Sequence, residues 1–396
     1  MSEKSRLNWT PAITRLPRIV IWIMSSLAGV SFGITLWQWW LARRFPLHRR
    51  VIHPSFTPAV SVLKPLKGCD AESRACLESW FQLSQAASLQ LLFGVASPDD
   101  PVCPLVRELI AQHPNVEASL LISSENHGLN AKVSTLIQLA RKARHGVLVI
   151  SDADVLVATD MVTQLVHPLA DPGVGLVCSF YRLANPTTLA ARWEAIGMNA
   201  DFWTQVLQAR SLQPMKFALG AAMAVRRDDL QAMGGFETLA NHLADDYQLG
   251  QRIAANGKRV ELCPVPVDCR ETPLTWREAW RHQLRWARTI RACQPAAYFS
   301  SIAGNATLWP LVWFAVEPRE HVGHMAAIFI LLRIVSASQN QRKMNGNNMH
   351  WRFDWLVPIK DLLGAALWIA AHLGHEITWR DNRFRVERGG RLTALS

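Results

Sequence analysis

The chain has seven cysteines in 396 residues, and no two of them form a CxxC pair. An odd count without paired spacing excludes both a zinc finger and a disulfide framework. It fits a domain in a reducing compartment whose cysteines are small buried hydrophobes. Tyrosine is scarce too, with three residues against seventeen tryptophans, many of them at the edges of apolar stretches. That placement suits a membrane–water interface. It favours that interface over nucleic acid, which is not an expected partner. Lys+Arg nevertheless exceed Asp+Glu by 42 to 31, a net charge of +11. A balance of that sign then points to an anionic membrane surface or a phosphorylated substrate. Internal repeats and low-complexity tracts are also absent.

Long apolar runs are present. Residues 19–41, IVIWIMSSLAGVSFGITLWQWWL, carry no charge and end in the cluster Trp37, Trp39 and Trp40. The run is long enough to span a bilayer and too long for a signal peptide, and no small-residue cleavage site follows it. Arg43, Arg44, Arg49 and Arg50 argue that the following side is cytoplasmic, against Lys4, Arg6, Arg15 and Arg18 on the other. The expected organisation is a membrane anchor over 1–50, a catalytic domain over 51–295, and membrane-associated helices with an Arg-rich cytoplasmic tail over 296–396. Three further apolar stretches, 301–316, 322–335 and 355–369, precede that tail. A catalytic domain and a tail on one side require an even number of crossings between them. One stretch is therefore expected to be re-entrant or interfacial, and 355–369, with Lys360 and Asp361 inside it, is the candidate.

Between 58 and 290 short apolar or β-branched runs alternate with helical patterns. They are AVSVL (59–63), LQLLFGVA (89–96), ASLLIS (118–123), GVLVIS (146–151) and VGLVCSF (174–180). Strands alternating with helices predict an α/β domain, a Rossmann-like and mainly parallel sheet that binds ligands at the carboxyl ends of its strands.

Charged groups stand at those ends. Asp152 and Asp154 follow GVLVIS, where two hard oxygen ligands suit Mg2+ or Mn2+ with a diphosphate, or a polar turn. Asp99 and Asp100 follow LQLLFGVA and suit a uracil or ribose, or the N-cap of the next helix. Lys64 and Lys67 in SVLKPLKG suit a phosphate or a surface turn. In HGLNAKV, Gly128, Asn130 and Lys132 enter a helix whose first turn suits an anion. Asp245 and Asp246 open another helix and suit a general base, or an acidic first turn. In WREAWRHQLRWART (276–289), Arg285 and Trp286 suit a pyrophosphate and an acceptor, or a helix lying on a membrane surface.

The order KPLKG, DDP, GxNxK, DAD, DDY and then RW resembles the ceramide glucosyltransferase family. These are inverting, processive-type glycosyltransferases of GT-A fold with the signature D, D, D, (Q/R)xxRW, and their bacterial relatives include hopanoid-biosynthesis glycosyltransferases. The likeness runs from about Ser61 to the tail. It implies Asp100 on the nucleotide side, Asp152 as the second family aspartate, Asp246 as catalytic base, and Arg285 with Trp286 as the RW pair. Asp154 is a gain over the animal ceramide enzymes, which have a small non-acidic residue there, and the complete DxD strengthens the assignment of Asp152 and Asp154 to the metal. Lys64 and Lys132 join the expected nucleotide-sugar site. The sequence departs from the pattern at His282, where the family has Gln or Arg. It departs again at GMNADFW (197–203), where animal enzymes carry a His-Pro pair.

The activity implied is membrane-bound transfer of glucose or N-acetylglucosamine from a UDP-sugar to a ceramide or hopanoid hydroxyl. That is glycolipid or sphingolipid metabolism at a bacterial inner membrane, in a multi-pass protein with a cytoplasmic catalytic domain. A processive polysaccharide synthase is the alternative, but it needs more spans after the catalytic domain. A non-catalytic membrane scaffold is the other, and the intact aspartate set argues against it.

Overall fold

All five runs named above form strands, and three further strands complete one sheet. A computed structural model describes residues 18–84, 88–270, 272–346, 351–379 and 382–395. The flanking Lys4, Arg6 and Arg15 lie outside the described residues. The sheet contains β1 (Val60–Pro65), β2 (Leu89–Val95), β3 (Glu117–Ile122), β4 (Val147–Ser151), β5 (Val155–Leu156), β6 (Val174–Leu183), β7 (Ala222–Arg226) and β8 (Arg259–Cys269). Their order is β3-β2-β1-β4-β7-β6-β8-β5.

Strands β1 to β4 are mutually parallel, and β7 runs antiparallel between β4 and β6. Along β4 successive residues alternate between two cores: Leu148 and Ile150 join one, Val147 and Val149 the other. This is the period-2 pattern of a strand covered on both faces. It explains why β4 reads as a continuous apolar run and why polarity begins only at Asp152, past the sheet edge.

Register places the functional ends together. Leu63 of β1 pairs Ile150 of β4, and Pro65 pairs Gly94 of β2. Ser151 pairs Ala222, so the start of the antiparallel β7 meets the end of β4, and Asp152 N donates to Ala221 O at 3.2 Å. Helix Asp245–Ala255 packs beside this edge. A Cβ on Gly250 would lie 2.5 Å from Phe217 Cα and 2.6 Å from Ala218 N, so only glycine lets the helix approach that backbone so closely.

Among the described residues, two helices are long and apolar enough to cross a membrane, Arg18–Arg44 and Glu320–Met344. A third element, Pro295–Gly304 with Leu308–Val316, is bent by 59°. Both long helices finish against the α/β domain. Lys343 Nζ donates to the carbonyls of Ala42, Arg43 and Phe45 at 2.7, 2.9 and 2.7 Å, and Arg182 Nη1 donates to Met344 O at 3.1 Å. Arg43 and Arg44 lie over the rings of Trp39 and Trp40 at 4.7 and 4.0 Å, an interfacial arrangement.

The Arg-rich segment after 375 is not a loose tail. It forms the antiparallel sheet β9 (Glu376–Trp379), β10 (Asn382–Val386) and β11 (Leu392–Ala394). Ile377, Phe384, Val386 and Leu392 pack with Leu243 in a core of their own. Alternation of arginine with apolar residues in NRFRV is the strand signal that overall charge concealed. We expect Gly250→Ala to lower stability by roughly 1–3 kcal/mol, the usual effect of overpacking. Thermal unfolding of the detergent-purified protein measures it.

Candidate active site

A cavity of about 1270 Å³ opens at the carboxyl edge of the sheet. Lys132, Asp152, Asp154, Asp246, Arg285 and Trp286 all line it. These come from four separate segments, which the register of β4 and β7 and the packing of three helices bring to one place.

Lys132 is the group at the centre. Its Nζ lies 2.7 Å from Asp152 Oδ1 and 3.2 Å from Asp245 Oδ2, which joins the DAD loop to the DDY helix. Burial lowers the affinity of this amine for its proton, but Asp152 and Asp245 outweigh burial and hold its pKa above the usual lysine range. The preceding residues fix its position. Asn130 caps the helix by accepting from Val133 N at 3.1 Å, and its Nδ2 donates to His242 O at 2.7 Å. A Cβ on Gly128 would lie 2.5 Å from Ala240 O. The GLN triplet thus clamps the segment that leads into Asp245.

Burial, then the charge of Asp245, pushes the Asp246 carboxyl up to about 7, against the pull of Lys132. Asp246 Oδ1 accepts from Tyr247 N at 2.7 Å, and Oδ2 faces Gly220, where a Cβ would stand 2.9 Å away. Asp154 is pushed up to about 6, first by burial and then by Asp152. Two neighbouring carboxylates at the cavity wall, one of them raised by the other, are a donor set that fits a divalent cation. No group of three or more His, Cys, Asp or Glu with metal-binding geometry occurs among the described residues. The fit is therefore to a cation that takes its remaining ligands from a diphosphate and water, as Mg2+ commonly does.

Two expected nucleotide contacts lie elsewhere. Lys64 is 1 % exposed and does not line the cavity; its Nζ donates to Asp152 O at 2.6 Å and sits 4.5 Å from the centre of the Trp80 ring. Burial lowers its pKa to about 8. Lys67 faces the cavity instead. Asp100 does not line the cavity either. Its carboxylate accepts from Gly68 N at 3.0 and 3.1 Å and from Val102 N at 3.0 Å, so it ties the loop after β1 to the next helix. Both residues shape the loops that hold Asp152 and Lys67.

Trp286 joins an aromatic wall with Tyr181, Phe202 and His282, at centroid distances of 6.3, 6.1 and 5.4 Å. His282 Nδ1 lies 2.6 Å from Glu194 Oε1, which also accepts from Gln283 Nε2 at 2.7 Å. The sequence reading missed Glu194; its signal was one acid inside the apolar helix LAARWEAI. The GMNADF stretch is a π-helical turn that carries Asp201 into the cavity wall. The C-terminal sheet closes the far side. Gly390 O accepts from Leu243 N at 2.9 Å, Gly389 O accepts from Gln248 Nε2 at 2.7 Å, and Trp379 lines the cavity.

Glycosyl transferase family 21 matches residues 21–392. Ceramide glucosyltransferase 1 of Caenorhabditis elegans is 25% identical over 367 residues, covering 88% of this chain and 76% of that protein. An N-acetylglucosaminyltransferase of Bradyrhizobium diazoefficiens is 25% identical over 245 residues, 59% of this chain and 49% of that protein. A mannosyltransferase from Pyrobaculum calidifontis, solved with GDP-Man and Mn2+, superposes with a TM-score of 0.53 at 20% identity, covering 89% of this chain and 98% of that one. That likeness shows the GT-A fold. With the aspartate set gathered at the sheet edge and the match spanning nearly all of its length, the chain is a glycosyltransferase and belongs to glycosyl transferase family 21.

Proposed function

We propose that the chain moves glucose or N-acetylglucosamine from a UDP-sugar to the hydroxyl of a membrane lipid, a ceramide or a hopanoid, with inversion at the anomeric carbon. One observation carries the reading. The cavity that holds Asp152, Asp154 and Asp246 is also lined by Ile34 and Thr35 of the apolar helix Arg18–Arg44. A water-soluble donor and a lipid acceptor can therefore meet in one space. The names of the Caenorhabditis elegans and Bradyrhizobium relatives support lipid and sugar respectively, and the mannosyltransferase complex supports a nucleotide sugar with a divalent cation.

In this mechanism Asp152 and Asp154 would hold Mg2+ or Mn2+, which supplies charge neutralisation to the diphosphate. Asp246 Oδ2, left open by Gly220, takes the proton of the lipid hydroxyl as its oxygen attacks the anomeric carbon. Arg285 lines the same cavity and stabilises the negative charge that develops on UDP. Trp286 and its aromatic neighbours give the sugar and acceptor an apolar wall. Lys132 restrains Asp152 and Asp245 and offers its ammonium to the diphosphate. Lys64 and Asp100 act on the nucleotide site through the loops they hold.

The membrane arrangement follows from the helix ends. Arg18–Arg44 reaches the catalytic domain from the far side, the bent element returns across, and Glu320–Met344 comes back to the catalytic domain. In this reading helix Leu356–His372, whose Leu367 packs with Ala190, Trp193 and Ala279, is the stretch that does not cross, and the C-terminal sheet follows it on the catalytic side. In a bacterial inner membrane, Arg43, Arg44, Arg49 and Arg50 make that side the cytoplasm.

We expect Asp246→Asn and Asp152→Asn each to lower UDP release with a lipid extract by roughly 10²–10⁴-fold while the fold is retained. Parental turnover by either variant would reject the assignment. EDTA should abolish release and added Mn2+ or Mg2+ should restore it. Below about pH 7 Asp246 holds a proton and cannot accept another, so kcat/KM should fall on the acid side of pH 7. Asp245→Asn removes a charge that raises the Asp246 pKa and should move that limb to lower pH. Expression in a host without glycolipids, fed ceramide or a hopanoid, with mass spectrometry of the product, identifies the sugar and the acceptor.

A further inference from the structure

Arg333 is a single charge in the apolar run AAIFILLRIVSA (326–337), half-way along a helix long enough to cross a membrane. A charge in that position is costly unless paired, and it marks a functional site in membrane proteins more often than a structural one. Here it is paired twice. Arg333 Nε and Nη2 donate to Asp361 Oδ2 and Oδ1 at 2.9 and 2.8 Å, and Nη2 reaches Asp201 Oδ2 at 2.9 Å. Lys360 Nζ contacts the Asp201 carboxylate and lies 2.9 Å from Asp361 Oδ1. Thr307 Oγ1 adds a bond to Asp361 Oδ2 at 2.7 Å.

These four charges sum to zero and come from three separate segments: the π-helical turn Gly197–Phe202, helix Glu320–Met344 and helix Leu356–His372. All four line the cavity that holds Asp246 and Arg285. All four are largely buried, Lys360 the most exposed at 16%. Both Asp361 oxygens are taken by Arg333, with Thr307 also on Oδ2, so Asp201 with Lys360 is the pair left to meet a ligand.

We propose that Asp201 and Lys360 form the headgroup subsite of the lipid acceptor, and that it takes a neutral headgroup bearing both a hydrogen-bond donor and an acceptor, a hydroxyl or an amide. The proposal rests on the acceptor being a membrane lipid, as argued above. A neutral hydroxyl or amide donates to Asp201 and accepts from Lys360 without breaking any ion pair. A phosphate would have to draw Lys360 away from two carboxylates and then lie against Asp201, with Arg333 already committed to Asp361 and Asp201. The charge balance therefore selects against anionic lipids, which are the abundant competitors at a membrane surface. Ile34, Phe202 and Val206 supply apolar wall in the same cavity for the lipid body.

The test measures binding, which needs no sugar transfer and so separates this proposal from the transferase reading. A short-chain ceramide and its 1-phosphate are titrated into the detergent-purified full chain. The variants are Asp201→Asn, Lys360→Met and the double variant, which removes one charge of each sign and leaves the Arg333–Asp361 pair intact. We expect the parent to bind the neutral lipid at least about tenfold more tightly than the phosphate, and the double variant to lose about tenfold in neutral-lipid affinity, as loss of two hydrogen bonds implies. UDP affinity and Tm should stay near the parental values. Equal or tighter binding of the phosphate by the parent, binding of neither lipid, or parental neutral-lipid affinity in the double variant overturns the proposal. Parallel losses of UDP affinity, Tm and lipid affinity in the double variant also overturn it, because they assign the cluster to holding the helices together.

Discussion

The contact on which the active centre depends is the Lys132 ammonium between Asp152 and Asp245. It joins the tip of a central parallel strand to the first turn of a helix more than ninety residues later in the chain. Lys132 is 12% and Asp245 10% exposed, so that pair has little water to neutralise it, while Asp152, at 38%, keeps an open side toward the cavity. Around it lie the clamp of Asn130 on His242, the close approach of Gly128 to Ala240 and that of Gly250 to Phe217. They make the position of Asp246 a consequence of backbone packing rather than of a flexible loop. The raised pKa of Asp246 follows from the same burial, since a carboxyl kept from water beside another carboxylate holds its proton longer.

Membrane attachment and catalysis share one cavity. The apolar helix Arg18–Arg44 contributes cavity wall as well as anchorage, and Lys343 ties its end to the end of Glu320–Met344. The C-terminal sheet covers the opposite side of the base helix through Gly389 and Gly390. Of the basic residues read as a tail, Arg383 pairs with Glu376 inside that sheet, and Arg291 of helix Trp276–Cys293 donates from Nη2 to Gly374 O at 2.7 Å just before it. Helices and sheet thus enclose the cavity from both flanks.

Much of this was legible in the chain. Apolar runs ending in carboxylates announce strands buried on both faces, and Asp152 and Asp154 stand at the cavity edge where that pattern puts them, whereas Asp246 opens a helix. The single apolar run at 19–41 announces a span for the same reason, that only hydrocarbon tolerates so many uncharged residues. Strands β7 and β8 escaped notice because AMAVR is short and RVELCPVPVDC carries two prolines and two acids. Lys64 misled because a lysine at a strand end looks exposed. Its stem and ammonium instead fold inward beneath the DAD loop, where Trp80 and a carbonyl replace water.

The sequence by itself determined the α/β plan, the apolar helix long enough to span a bilayer and the inventory of acids and bases, because each is set by local periodicity or by residue type. Tertiary structure alone decided which of those charges meet. Lys132 pairs with Asp245, Arg333 with Asp361 and Asp201, and Glu194 with His282, across separations from 28 to 132 residues. No local pattern encodes such partners, since a buried charge is satisfied by whatever the packing of distant elements brings within about 3 Å. The DAD motif is acidic by sequence, and it becomes half of a site only where the fold places a lysine and a second aspartate pair against it.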